Sequence, residues 1–175
     1  MLNDPIDSAI DDLASDLERA RSMLQQDDTQ FCRRMYVRSL FAYLEGFTYW
    51  MRQNAIEIDL IVSRRSGFGA VDWERHFLLH EEFPTITGTG KVEKTRQRVP
   101  FKNRFAFSIR AYFDIVKCKD NLFSHDGWRQ IQKAVEVRDR LTHPKRSAHL
   151  VVSDIDLKSC REGYVWFTQL VVTKF

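Results

Sequence analysis

Apolar residues recur at spacings of three and four through most of this chain, and scarce Gly and Pro separate the runs. Ile6, Ile10, Leu13, Leu17, Ala20 and Leu24 form one stripe, which predicts an amphipathic surface helix. Asn3 or Asp4 can cap it, with Pro5 in its first turn, and Asp7, Asp11, Asp12 and Asp16 suit the positive end of its dipole. The segment Phe31 to Val62 lacks proline. Its first half (Met35, Tyr36, Val37, Leu40, Phe41, Leu44, Phe47, Trp50, Met51) is apolar around most of the circumference, the pattern of a central, buried helix. Gly46 within it would let a neighbouring helix approach closely, and Ser63-Arg64-Arg65-Ser66-Gly67 ends it.

A shorter helix is predicted over Val71–Glu82, stopped by Phe83-Pro84, and residues 84–100 read as a long loop. Pro100 opens the next helix, with Phe101, Phe105, Ile109, Tyr112, Phe113 and Val116 on one face. Residues 117–126 read as a turn that runs into Gly127. A fifth helix from Trp128 carries Ile131, Ala134, Val135, Arg138 and Leu141 and is halted by Pro144. Leu150-Val151-Val152 looks strand-like, but Ser153 to Asp156 resembles a capping box, and Leu157, Cys160, Tyr164, Phe167 and Val171 follow at helical spacing. No hairpin signal or fixed-period repeat stands out. The expectation is an all-α, single-domain bundle of about six helices over residues 1–175.

Composition narrows the class further. A chain of 175 residues with 43% hydrophobic residues can bury a core without a metal or disulfide staple. No uncharged apolar run approaches the roughly 18 residues of a membrane span. The acidic N-terminus matches neither a secretory signal nor a transit peptide. Cys32, Cys118 and Cys160 are odd in number and widely spaced, as expected of reduced, buried thiols in a cytoplasmic protein. The net charge of +3 conceals local values of −6 over residues 1–30, +6 over 91–110 and +4 over 129–146.

No phosphate-binding glycine loop, G-x-S-x-G elbow or H-E-x-x-H motif is present. His76 and His80 stand at i, i+4, a metal-ligand spacing, but Trp73, Phe77 and Leu78 around them suit ordinary packing, so neither metal nor cofactor is expected. The sharper feature is Val137-Arg138-Asp139-Arg140-Leu141-Thr142-His143-Pro144. The residue before a proline disfavours the helical region, so His143 is predicted to project from the helix end. Asp139, four positions earlier, would orient its imidazole, and Arg138 offers a planar fork for phosphate oxygens. With eighteen Arg and five His, an Arg followed by His at such spacing arises about 1.5 times by chance. Arg75 and His80 make a second match, without the His-Pro ending.

The R-D-x-x-x-H-P ending on a late helix of an all-α domain resembles the HEPN superfamily (higher eukaryotes and prokaryotes nucleotide-binding), whose members share an R-x4–6-H motif. The resemblance covers most of residues 31–175 in helix order, with its specific residues confined to the octapeptide. It implies a metal-independent ribonuclease of toxin–antitoxin or phage-defence type, working as a homodimer with facing motif helices. It places Arg138, Asp139 and His143 at the catalytic site, with RNA or nucleotide as ligand and an antitoxin or other protein as a further partner. One His143 would take the proton from an RNA 2′-hydroxyl, a second copy would protonate the leaving 5′-oxygen, and Arg138 would stabilise the charged phosphorane. Lys94, Arg96, Arg98, Lys102, Arg104, Arg140, Lys145 and Arg146 would track RNA phosphates. Two other classes are compatible with the same residues: a module that binds RNA or nucleotide without cleaving it, and an interaction protein that docks through its acidic first helix.

Overall fold

The structure is a computed structural model and describes residues 5–66, 77, 80–96, 98–116 and 122–172. It is mostly helical, with five α-helices and one two-stranded sheet among those residues: α1 (Pro5–Gln26), α2 (Gln30–Ser66), β1 (Glu82–Ile86), β2 (Val92–Arg96), α3 (Phe101–Ile115), α4 (Asp126–Thr142) and α5 (Asp154–Val172). The caps expected at Asn3 or Asp4, most of the helix expected over Val71–Glu82, and Cys118 lie outside the described residues. No described helix is long and apolar enough to cross a membrane. The chain divides into two compact units, Met1–Phe47 with Asp120–Phe175, and Thr48–Lys119, so the division falls within α2.

The first unit is built from α1, the N-terminal half of α2, α4 and α5. The α1 stripe is buried at Leu17, Ala20 and Leu24, against a core that includes Tyr36, Val37, Leu40, Phe41 and Leu44 of α2. Gly46 does what its position suggested: a β-carbon there would lie 2.6 Å from Leu13 Cδ1. Helices α4 and α5 approach through two further glycines. A β-carbon on Gly127 would meet Trp166 at 2.1 Å, and one on Gly163 would meet Ile131 at 3.0 Å. Aromatic edges close the core, with Tyr43 against Tyr164 and Phe47 against Phe167 at centroid distances of 6.0 and 5.5 Å.

Among the described residues, the strand-like run 150–152 pairs with no strand. Its carbonyls are satisfied by side chains instead, and Val151 N–H donates to Ala148 O. Gln30 Nε2 donates to Val152 O at 3.1 Å and Gln30 Oε1 accepts from Val152 N–H at 2.8 Å. Arg33 donates to the same carbonyl and Arg34 to Leu150 O. A short 3-10 turn, Ser147–Leu150, precedes this segment. The capping box then starts α5 as expected: Ser153 N–H and Oγ–H both donate to Asp156 Oδ2 at 2.7 Å, and Asp156 N–H donates back to Ser153 Oγ.

The second unit holds the remainder of α2, the sheet and α3. Its core includes Met51, Ala55, Phe77, Phe101, Phe105, Ile109, Tyr112 and Phe113. Val116, expected on the buried face of α3, is 39% exposed. The expected loop over 84–100 is instead largely an antiparallel hairpin, with Pro84 opposite Lys94 and Ile86 opposite Val92. Thr87 N–H donates to Lys91 O and Gly90 N–H to Thr87 O, and Gly90 takes φ +77. This is a three-residue turn with glycine in the left-handed position. The hairpin is tied down by Phe83, whose ring lies 5.1 Å from Phe77, itself 4.8 Å from Phe107. β1 is interrupted by Pro84 and β2 carries a single apolar residue, Val92, which is why the hydrophobic pattern missed them.

Candidate functional site

Helix α4 owes its start to His125, whose side chain accepts from Gly127 N–H at 3.0 Å. It ends where Pro144 forbids continuation: His143 is the capping residue, with φ −124 and ψ 61, and donates its N–H to Asp139 O at 3.0 Å. His143 is exposed, projecting beyond the last turn as its sequence context predicts. Arg138, one turn earlier, is three-quarters buried and salt-bridged to Glu45 Oε1 of α2 at 2.5 Å. Its other arm, Nη1, donates to Asp139 Oδ1 at 3.0 Å.

This arrangement corrects one expectation. Asp139 was expected to orient His143, yet no hydrogen bond joins the two side chains among the described residues. Once His143 leaves the helical path the i, i+4 alignment is lost, and the Asp139 carboxylate turns to the guanidinium beside it. Arg138 is thus the residue held in place, by two carboxylates on two helices, while the imidazole stands free of the orienting group. Glu45 was missed in the sequence. The signal was there, because a lone carboxylate between Leu44 and Phe47 on a largely buried helix demands a cationic partner.

The remaining basic residues divide by role. Arg140 points inward: it donates to His149 O at 3.3 Å and to Val151 O, and binds Asp156 Oδ2 at 2.5 Å. Its guanidinium therefore joins α4, the connecting segment and α5, a structural duty that takes up three of its five N–H donors. Burial alone would raise the Asp156 carboxyl, but the Ser153 hydrogen bonds and Arg140 overcome it and hold the group below its usual range. Lys145 and Arg146 are exposed just beyond His143, and Arg146 Nε donates to His149 Nε2 at 3.0 Å. His149 is a second imidazole in the same basic segment, passed over in the sequence because it belongs to no motif.

In the second unit, Lys94 and Arg96 share one face of β2, paired opposite Pro84 and Glu82. Lys102 is exposed, and so is Arg98, while Arg104 is half-buried in the first turn of α3. Arg96 and Arg104 both lie near the carboxylate of Glu81, at 3.8 and 3.4 Å. These five bases thus belong to a different compact unit from the Arg138–His143 pair.

Other candidate chemistry is quiet. Cys32 and Cys160 are buried, and burial, with the nearby Asp156 charge, pushes the Cys160 thiol up to about 12, which leaves it protonated and unreactive. His80 is exposed, His76 lies outside the described residues, and among the described residues no three or more His, Cys, Asp and Glu come together as a metal site. No family model, curated protein or solved structure matches the chain.

Proposed function

We propose that the protein is a metal-independent endoribonuclease of HEPN type, acting in the cytoplasm as a homodimer in a toxin or phage-defence role. The observation that carries this reading is the end of α4, where a guanidinium fixed by Glu45 and Asp139 precedes an exposed histidine at the helix terminus. A neutral His143 accepts the proton of an RNA 2′-hydroxyl as that oxygen attacks phosphorus. Arg138 stabilises the charge on the phosphorane. A protonated His143 from the second copy gives its proton to the departing 5′-oxygen, and the products are a 2′,3′-cyclic phosphate and a free 5′-hydroxyl. DNA lacks the nucleophile and is not a substrate. Lys145 and Arg146 flank this end of the helix and would contact the phosphates on either side.

The test is cleavage of single-stranded RNA in excess chelator. Each of Arg138→Ala and His143→Ala is expected to lower the rate by about 100-fold or more, and the product end is expected to be cyclic. Cleavage that survives both substitutions, or that cuts DNA equally well, would refute the assignment. A second reading, RNA or nucleotide binding without cleavage, is favoured by one observation: Asp139 engages Arg138 and leaves His143 without an orienting carboxylate. Under that reading Arg138→Ala weakens RNA binding and no cleavage is seen at any protein concentration.

A further inference from the structure

Glu81 is the one non-glycine residue with positive φ among the described residues, at +53. It donates its N–H to Phe77 O, one helical turn back, and passes the chain into β1, a position glycine usually occupies. Its carboxylate compensates. Arg52, only 6% exposed, binds Oε1 through Nη1 at 2.5 Å, and Arg52 Nε is buried without a hydrogen-bond partner among the described residues. Arg104 and Arg96 face the same carboxylate from 3.4 and 3.8 Å, well beyond the roughly 2.7–2.9 Å of a charge-assisted hydrogen bond. The short contact goes to Arg52, whereas Arg104 Nη1 reaches both carboxylate oxygens only by long hydrogen bonds of 3.4 Å and Arg96 only by proximity, so these two guanidiniums keep N–H donors for a further anion.

Those two, with Arg98 and Val99, wall an open cavity of about 430 Å³ whose fifth lining residue is Glu81 itself. Arg98 is exposed and has no ion pair or hydrogen bond among the described residues. Three guanidiniums against one carboxylate leave the lining at a net +2. The cavity also adjoins the start of α3, which begins at Pro100 without a side-chain cap and adds the positive end of its dipole. We propose that this arginine-walled cavity is a binding site for a phosphate group, held by Arg98, Arg104 and Arg96.

The lining also indicates what is not read. No aromatic ring and only one apolar residue, Val99, face the space, so a nucleobase has nothing to stack on and recognition stops at the phosphate. Glu81 acts as a resident counter-ion: it keeps Arg104 and Arg96 in place when the cavity is empty and opposes the incoming anion. The site lies in the second compact unit and does not depend on cleavage at Arg138 and His143.

Calorimetric titration of the full chain tests it, with inorganic phosphate, AMP, CMP and adenosine as probes. Phosphate, AMP and CMP are expected to bind, the two nucleotides within about threefold of each other, and adenosine is not. Arg98→Ala, at an exposed position that threatens no packing, is expected to weaken phosphate and AMP by about tenfold or more. Glu81→Gln is expected to strengthen them, and His143→Ala to leave them unchanged. A single-stranded RNA oligonucleotide separates the sources. Weakening of RNA together with AMP in Arg98→Ala marks a backbone phosphate, and weakening of AMP alone marks a small ligand. Wild-type protein that binds no phosphate at about 10 mM, adenosine that binds as well as AMP, or Arg98→Ala that binds all probes like wild type would overturn the proposal.

Discussion

Gly127→Ala adds one methyl group where the first turn of α4 meets α5. The new carbon would sit 2.1 Å from Trp166 Cγ, 2.2 Å from its Cβ and 2.5 Å from its Cδ1, whereas ordinary contact begins at 3.4 Å. A gap of more than 1 Å has to open. A flexible side-chain tip could swing aside, but the Cβ of Trp166 moves only with its backbone, so α5 itself must shift. Overpacking of this kind costs about 1–3 kcal/mol. Trp166 also stacks on His125 at 6.3 Å and packs against Trp128 at 6.2 Å, and disturbing those rings adds about 0.5–1.5 kcal/mol. Against this stands at most about 1 kcal/mol of helix propensity gained by alanine. The net expectation is a loss of about 0.5–4.5 kcal/mol, or on the order of 2–14 °C in Tm for a chain of this size. Urea unfolding followed by tryptophan fluorescence measures it. Gly163→Ala is the internal comparison: its new carbon meets Ile131 at 3.0–3.2 Å, so its cost is expected to fall below about 1 kcal/mol. A Gly127→Ala protein within about 0.5 kcal/mol of wild type, or less destabilised than Gly163→Ala, would refute the packing argument.

Four further outcomes follow from other parts of the molecule. Arg140→Ala is expected to cost about 1.5–3 kcal/mol in denaturant unfolding, because it strips two carbonyls of the 149–151 segment and the partner of Asp156 together. Asp156 and Glu81 are both held below the usual carboxylate range, Glu81 because Arg52, then Arg104 and Arg96, outweigh its burial. The unfolded chain therefore binds more protons there. The stabilisation is complete above about pH 4–4.5 and is lost as pH falls through the folded-state values, which acid titration of stability in Asp156→Asn should show as a flattened slope. Cys160 is expected to resist thiol reagents at pH 8 until the protein unfolds, since its thiol titrates at about 12; mass spectrometry of the labelled chain checks this. At the hairpin tip Gly90→Ala is expected to cost about 1–2 kcal/mol for its φ of +77, and Gly88→Ala, with nothing within 4 Å, less than about 0.5 kcal/mol by thermal unfolding.

Helices were legible where a hydrophobic face is buried. The α1 stripe, the all-round apolar first half of α2, Pro144 as a stop and Ser153–Asp156 as a cap each follow from one local rule, and each is seen. The hairpin was not legible, because β2 (Val92–Arg96) is exposed along its whole length and offers no buried face to alternate. Its specification lies in Gly90 and in the single anchor Phe83. At the helix end, the projection of His143 could be read from Pro144, but the partners of Arg138 could not, since Glu45 lies 93 positions away. Sequence spacing favoured Asp139 with His143, and the exit of His143 from the helix gave Asp139 to Arg138 instead. Arg140 illustrates the same limit. Its charge is visible in the sequence, but three inward bonds are a property of the folded chain.

The segment between α4 and α5 and the hairpin tip would both be classed as connections, yet they differ in how they accept a change of length. A β-carbon added at Gly88 would meet no neighbouring atom within 4 Å, so a tag or an inserted peptide there has open space to leave the strands undisturbed. Around 149–152 all four carbonyls accept from Gln30, Arg33, Arg34 or Arg140. One extra residue there slides every carbonyl past its donor at once, and also displaces Asp156 from Arg140. The hairpin tip is the place to attach a probe or split the chain; the segment between α4 and α5 carries its length as a fixed specification, as firmly as a helix interior does.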